Sequence, residues 1–376
     1  MARIFIVTGE ASGDLHGAHL ALALKKLQAS VDLVGVGGEH MRSAGVTLLT
    51  GLERVDGIGV LGFDQIRKGL ANLRTLKKYL RKETFDAIVM IDNPGLNLRL
   101  AKIASRIGHR VIYYIAPQIW AWGRRRIHLM KRVISRVIVI LPFEKPIYDE
   151  AGVPCDYVGH PLLDSMEPTY DQREVRRKLG VPEEGLVLGL LPGSRVHEVE
   201  TLLPEMVQAV RHIKFHYPDV LCVIGKAHSI PIELLRGLTG QAGVTVKIIE
   251  HQANEVMAAS DLLLVASGTA TLQAGLIGTP MIIAYRMSRL TYFMAKMIGL
   301  VKHIGLVNLV AGRGIVPELL QEDAGASRLS QEALRLLKNR TLYEEMQKAF
   351  EDVRIKMGAP GASERAAHAI LRECQA

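Results

Sequence analysis

The chain has 376 residues, 48% hydrophobic and 5% aromatic, with 47 Lys and Arg against 38 Asp and Glu. This composition excludes disorder and leaves length for two or three domains. The formal net charge of +9 suits an anionic partner, which a phosphorylated substrate, an acidic membrane surface or nucleic acid would each provide.

In chain order, ARIFIVTGE is too short an apolar run for a signal peptide and reads as a first strand over 3–8. TGEASGD follows, Thr8 to Asp14, leading into an apolar helix. Gly9 and Gly13 allow a tight turn, Ser12 or Asp14 can cap the helix, and free N–H groups there suit an oxyanion. A plain capped turn explains the same residues. VGVGGEH at 34–40 is not a dinucleotide fingerprint, because His40 stands where the third glycine should be. In FDQIRKGLANLRTLKKYLRK, 63–82, Ile66, Leu70, Leu73, Leu76 and Leu80 share one helical face. Arg67, Lys68, Arg74, Lys77, Lys78, Arg81 and Lys82 crowd the rest, so the helix either covers its own sheet or meets a membrane.

Further strands are expected at 31–36, 86–91, 110–115, 136–140 and 155–158. IDNPGLN sets Asp92 at the carboxyl end of the third strand in the chain, 86–91, as a general base or as a helix cap. APQIWAWGRRRIHLMKR holds both tryptophans, Trp120 and Trp122, among arginines, a pattern that can stack bases or anchor at a lipid interface. A proline-bearing stretch from Gly159 to Glu184 reads as a linker. A second strand series follows at 186–191, 220–224, 244–249, 262–266 and 281–285. Its first loop, LLPGSRVHEVE, opens the backbone at Gly193 and Ser194 before a helix, and Arg195 adds a charge able to grip a diphosphate. Another loop, SGTATLQ, places Ser267, Gly268 and Thr269 at a helix start, again as cradle or turn, with Gln273 one turn on. Leu262 to Tyr285 carries no charge but contains Pro280 and reads as a buried strand-helix-strand, not a membrane span. Helical patterns without strands fill the end, from about Arg289 to Glu373.

The expected fold class is therefore α/β: two facing, doubly wound Rossmann-like domains with an interdomain cleft. Scattered Cys155, Cys222 and Cys374 point to a reducing compartment, and thirteen histidines without HExxH spacing support no metal site.

TGEASGDLHG, the IDNP turn, APQIWAW, LPFEKPIYDEAGVPCDYVGHP, LLPGSR with EVE, SGTATL and NLVAGR together resemble the lipid-A-disaccharide synthase family, inverting glycosyltransferases of the GT-B fold. The likeness runs from about Ile4 to Leu320. It implies attack by the 6-hydroxyl of 2,3-diacylglucosamine 1-phosphate on UDP-2,3-diacylglucosamine, giving a β-1,6 disaccharide 1-phosphate and UDP, with no metal or other cofactor. Asp92, with Arg195 and Glu10, would be catalytic. Gly193, Ser194, Arg195, Ser267, Gly268, Thr269, Gln273 and Asn308 would meet UDP. Ser12, Asp14, Arg313, Glu318 and Gln321 would face acceptor or sugar. Residues 1–165, completed by helices in 345–376, would form the acceptor and membrane side, and 166–344 the donor side. Ile66, Leu70, Leu73, Trp120 and Trp122 would contact an anionic phospholipid surface, placing the protein in the cytoplasm, peripheral on the inner face of a Gram-negative inner membrane. A homodimer is compatible with the resemblance; a nucleic-acid partner is not expected. Three departures stand out: Gln273 where the family usually has Glu, Val307 where Pro is common, and a less apolar LGFDQI at 61–66. The rivals are another UDP-sugar enzyme of the same fold, an epimerase or peptidoglycan glucosaminyltransferase, and a basic nucleic-acid-binding protein.

Overall fold

The computed structural model describes residues 1–9, 11–50, 52, 63–117, 119, 126–240, 243–286 and 303–375, with side chains excepted at 11 and 63–70. The chain divides into two compact units, Met1–Ser165 with Ala359–Ala376, and Met166–Gly358.

In the first unit, β1 (Arg3–Thr8), β2 (Asp32–Val36), β3 (Thr47–Leu48), β4 (Ala87–Ile91), β5 (Val111–Tyr114), β6 (Arg136–Val139) and β7 (Cys155–Tyr157) form one sheet in the order β3-β2-β1-β4-β5-β6-β7. Every pairing is parallel. Parallel strands are covered by helices on both faces, so they read as continuous apolar runs, and the whole of AIVMI in β4 is buried. Phe5, Val7, Ile88, Met90, Tyr113 and Val137 belong to the core of this unit.

Leu73, Leu76 and Leu80 of the helix Phe63–Leu80 join that core, while Arg74, Lys77, Lys78, Arg81 and Lys82 are exposed. Leu73, only 9% exposed, is thus a core residue and not the lipid contact expected of it. Each such leucine contributes roughly 1.5–3 kcal/mol by leaving water, which is why the apolar stripe turns inward. The side chains of Ile66 and Leu70, and Trp120 and Trp122 altogether, lie outside the described residues.

The second unit repeats the plan with β8 (Val187–Leu191), β9 (Leu221–Lys226), β10 (Val246–Glu250), β11 (Leu262–Ala266), β12 (Met281–Tyr285) and β13 (Glu318–Leu320), in the order β10-β9-β8-β11-β12-β13. β13 falls where only helices were expected.

The division near the C-terminus also differs from the sequence-based expectation. The helix Arg340–Met357 stays with the second unit: its Phe350 packs against Gly275 of the helix Thr269–Ile277, and Met346 Sδ faces the Met281 N–H at 3.4 Å. The return begins at Ala359. There the Asp164 carboxylate accepts from the N–H groups of Gly361 (2.5 Å), Ala362 (3.3 Å) and Ser363 (3.3 Å), starting the helix Ala362–Gln375. Arg365 donates to the carbonyls of Val158, Ala359 and Pro360.

Both sheets reverse strand order at one point, between β1 and β4 and between β8 and β11. In open parallel sheets, ligands bind at the carboxyl ends of the strands beside that reversal. Register brings Thr8 opposite Ile91 in one sheet and Leu191 opposite Val265 in the other. The loops singled out in the sequence leave from these strand ends.

Candidate active site

In the first unit Asp92 follows β4 with φ +50, and Asn93 follows with φ +41. Two successive non-glycine residues in the left-handed region each cost about 1–3 kcal/mol unless their surroundings hold them. Here they are held. Tyr113 Oη donates to the Asp92 carbonyl at 2.6 Å, and Asn97 Nδ2 donates to the carbonyls of Asp92 (2.7 Å) and Ile91 (3.0 Å). Asn93 Oδ1 caps the helix Pro94–Ile107 by accepting from the Leu96 N–H. Gly9 completes the fit, because a side chain there would collide with Asn93 Nδ2.

The cap is therefore Asn93, and the Asp92 carboxylate is spared that duty. Burial pushes its carboxyl above the ordinary value, opposed by a hydrogen bond from the Asn93 backbone. Desolvation makes a carboxylate a stronger base, as proton abstraction from a hydroxyl requires. Tyr113 and Asn97 escaped the sequence reading. Asn97, five residues beyond Asp92 in IDNPGLN, was in view there, but nothing in the pattern set it on the Asp92 carbonyl.

Other candidate bases in this unit fare worse. Burial drives His16 and His160 down to about 4, so both are neutral and weakly basic. Asp14 is buried, and its carboxylate accepts from the N–H groups of Gly38 (2.6 Å), His40 (3.1 Å) and Met41 (3.2 Å). It caps the short helix Glu39–Ser43 after β2 and is not open to an acceptor, contrary to expectation. Ser12 is exposed in the first turn of the helix Ala11–Leu27, and Glu10 lies outside the described residues.

In the second unit Gly193 turns after β8 with φ +118, and Arg195, 78% exposed, is the N-cap of the helix Val196–Lys214. The Ser194 and Arg195 N–H groups both donate to Glu198 Oε2, at 3.2 and 3.4 Å. What the loop offers an anion is the Arg195 guanidinium. At the neighbouring loop after β11, the Ser267 N–H donates to the Ala284 carbonyl (3.3 Å) and its hydroxyl to the Ile304 carbonyl (2.9 Å), so Ser267 is a brace. Gly268 and Thr269 are exposed, and among the described residues no atom beyond the chain neighbours stands within 4 Å of where a side chain of Gly268 would begin. The helix Thr269–Ile277 begins at this exposed turn, where the Thr271 N–H and hydroxyl both donate to the Gly268 carbonyl, at 3.1 and 2.8 Å. One turn on, Gln273 Nε2 donates to Asn254 Oδ1, which leaves Gln273 Oε1 as an acceptor. Asn254 is a further residue that the sequence reading missed.

Similarity to known proteins converges on one family. A sequence profile described as lipid-A-disaccharide synthetase matches residues 4–372. The lipid-A-disaccharide synthase of Geobacter sulfurreducens is 37% identical over 98% of this chain and 96% of its own length. This chain belongs to the lipid-A-disaccharide synthase family. Among solved structures, a putative UDP-N-acetylglucosamine 2-epimerase from Listeria monocytogenes matches with a TM-score of 0.68 at 14% identity, covering 98% of this chain and 96% of that one. MurG from Acinetobacter baumannii matches with a TM-score of 0.59 at 14% identity, covering 99% and 100%. At such identity these likenesses show the fold, two α/β units of GT-B type. Like its family, the protein is a glycosyltransferase.

Several residues expected to meet ligand in a lipid-A-disaccharide synthase turn inward here. Asn308 is fully buried, its Nδ2 donating to the Val316 carbonyl (2.9 Å) and Glu318 Oε1 (2.7 Å), its Oδ1 accepting from Ile315 (2.8 Å) and Val316 (3.0 Å). Glu318 accepts from the Ile304 and Gly305 N–H groups at 2.9 and 3.1 Å. With every polar atom engaged, Asn308 has none left for a nucleotide, and Glu318 fixes the segment whose Ile304 carbonyl receives Ser267. Arg313 is exposed and lies 3.8 Å from Asp352, on the helix Arg340–Met357. The Gln321 backbone takes φ +55 and its carbonyl accepts from Arg286 at 3.1 Å.

Proposed function

We propose that this family member transfers 2,3-diacylglucosamine from UDP-2,3-diacylglucosamine to the 6-hydroxyl of 2,3-diacylglucosamine 1-phosphate. The observation that carries the reading is Asp92: half-buried, relieved of capping, and raised in pKa at the strand-order reversal of its sheet. Asp92 takes the hydroxyl proton as the oxygen attacks the anomeric carbon; the bond from that carbon to the diphosphate oxygen breaks, the configuration inverts, and UDP departs. The negative charge growing on the leaving group meets Arg195 and the N-terminus of the helix Thr269–Ile277.

Substrates with several acyl chains require work at a bilayer face. Among the described residues no helix is long and apolar enough to cross a membrane. Exposed Arg74, Lys77, Lys78, Arg81 and Lys82, with Arg126, Lys131 and Arg132, provide a cationic surface for anionic headgroups on the inner face of the inner membrane.

Mass spectrometry of the product formed from the two diacylated substrates tests the reaction. A β-1,6-linked disaccharide 1-phosphate with stoichiometric UDP is expected. Hydrolysis of the donor without disaccharide, or equal turnover of UDP-N-acetylglucosamine, would overturn it.

Gln273 supplies the ribose contact in this reading, through Oε1. Because a charged acceptor binds a hydroxyl more strongly than a neutral one, Gln273→Glu should lower the Kd for UDP by roughly threefold to tenfold, with Asn254 turning its amide to donate. Calorimetric titration reads the change, and unaltered or weaker UDP affinity removes residue 273 from the ribose.

A further inference from the structure

Glu198 occupies a position that an external anion would otherwise take. One carboxylate oxygen lies on the Ser194 and Arg195 N–H groups, at 3.2 and 3.4 Å, and the other lies 3.0 Å from Arg195 Nη1. The two side chains differ sharply in exposure, 14% for Glu198 against 78% for Arg195. The loop is shaped around this carboxylate: a Cβ on Gly193 would stand 2.5 Å from Glu198 Oε2, so residue 193 has no room for a side chain while Glu198 is in place. From the far side, Ser229 Oγ donates to the Ser194 carbonyl at 2.5 Å.

We propose that Glu198 is a positioning residue for the donor: it sets the backbone of Gly193–Arg195 and holds the Arg195 guanidinium at the mouth of the loop until a nucleoside diphosphate takes it over. An exposed arginine samples many rotamers, and each must be given up when it grips a diphosphate. A carboxylate three residues along the same helix restricts that freedom before the donor arrives. Both loop N–H groups stay bonded to Glu198 throughout, so the backbone does not rearrange during binding. The inference rests on Arg195 being the partner of the diphosphate.

The test is a double-mutant cycle read by calorimetric titration of UDP into the full chain and its Glu198→Gln, Arg195→Ala and doubly substituted variants. Gln keeps an oxygen for the loop amides and loses the pairing with Arg195. Glu198→Gln should weaken UDP binding by about tenfold when Arg195 is present and leave it unchanged in the Arg195→Ala background. Donor KM should rise in step with the Kd while kcat holds, a split that general loss of folding does not produce. Melting midpoints record folding, and Glu198→Asp, which retains the charge but is one methylene too short, should match the Gln variant. Tighter UDP binding in Glu198→Gln would make Glu198 a competitor of the donor and overturn the proposal, as would losses that simply add across the cycle. Unchanged UDP affinity in Arg195→Ala is a different failure: it would remove Arg195 from the diphosphate and Glu198 with it.

Discussion

Asp92→Asn is expected to lower the transfer rate about a hundredfold to ten-thousandfold, the range for a positioned general base, while leaving UDP affinity unchanged. Asn also tolerates the left-handed conformation that residue 92 adopts at φ +50, so the backbone has no reason to move. The variant should melt at a higher temperature than the parent at neutral pH. A carboxyl whose pKa is raised in the folded protein favours its protonated form there. It supports folding below the unfolded-state pKa, and that support is lost as pH rises through the folded-state pKa, so the ionised group is a liability at neutrality that Asn removes. For the same reason the acidic limb of the parent's rate profile should lie above the ordinary range of an aspartate, with activity rising as Asp92 gives up its proton. A variant that keeps a tenth or more of the parental rate would take the base role away from Asp92.

Asp14→Ala should instead act on stability. It strands the N–H groups of Gly38, His40 and Met41, and hydrogen bonds to a buried charge contribute about 1.5–3 kcal/mol each before the loop relaxes. A loss of about 3 kcal/mol or more is expected, read as a melting temperature lower by roughly 6–12 °C for a unit of this size. Asp14→Asn, which keeps an accepting oxygen, should recover part of it. If Asp14→Ala melts with the parent and is inactive, Asp14 belongs to the acceptor after all.

The contrast between these two aspartates shows what local pattern can place along a chain. Both sit in recognisable motifs at a strand end or helix start. Asp92 could be placed because AIVMI is a continuous apolar run whose end is unmistakable, and the residue after such a strand faces the ligand side of a parallel sheet. Asp14 could not, because its partners lie 24 to 27 residues away at a helix start that only the fold brings over it. Glu318 and Asn308 misled for the same reason: a residue that shapes a loop and one that touches the ligand recur in the same motif. Glu198 did leave a local sign, an acid three residues beyond the N-cap.

The positions of the longer strands were legible to the degree that burial on both faces writes itself into sequence. The short edge strands β3, Thr47–Leu48, and β13, Glu318–Leu320, carry too few residues for any period to emerge. Periodicity likewise found the apolar and cationic faces of 63–82, yet it could not say that Leu73 packs inward, because a stripe of leucines looks the same whether it meets a sheet or a bilayer.

Two doubly wound parallel sheets and the family could thus be read from the chain, because both rest on local pattern and motif order. Only the tertiary structure decided which polar side chains in the strand-end loops remain open to a ligand, because hydrogen-bond capacity is consumed by partners distant along the chain.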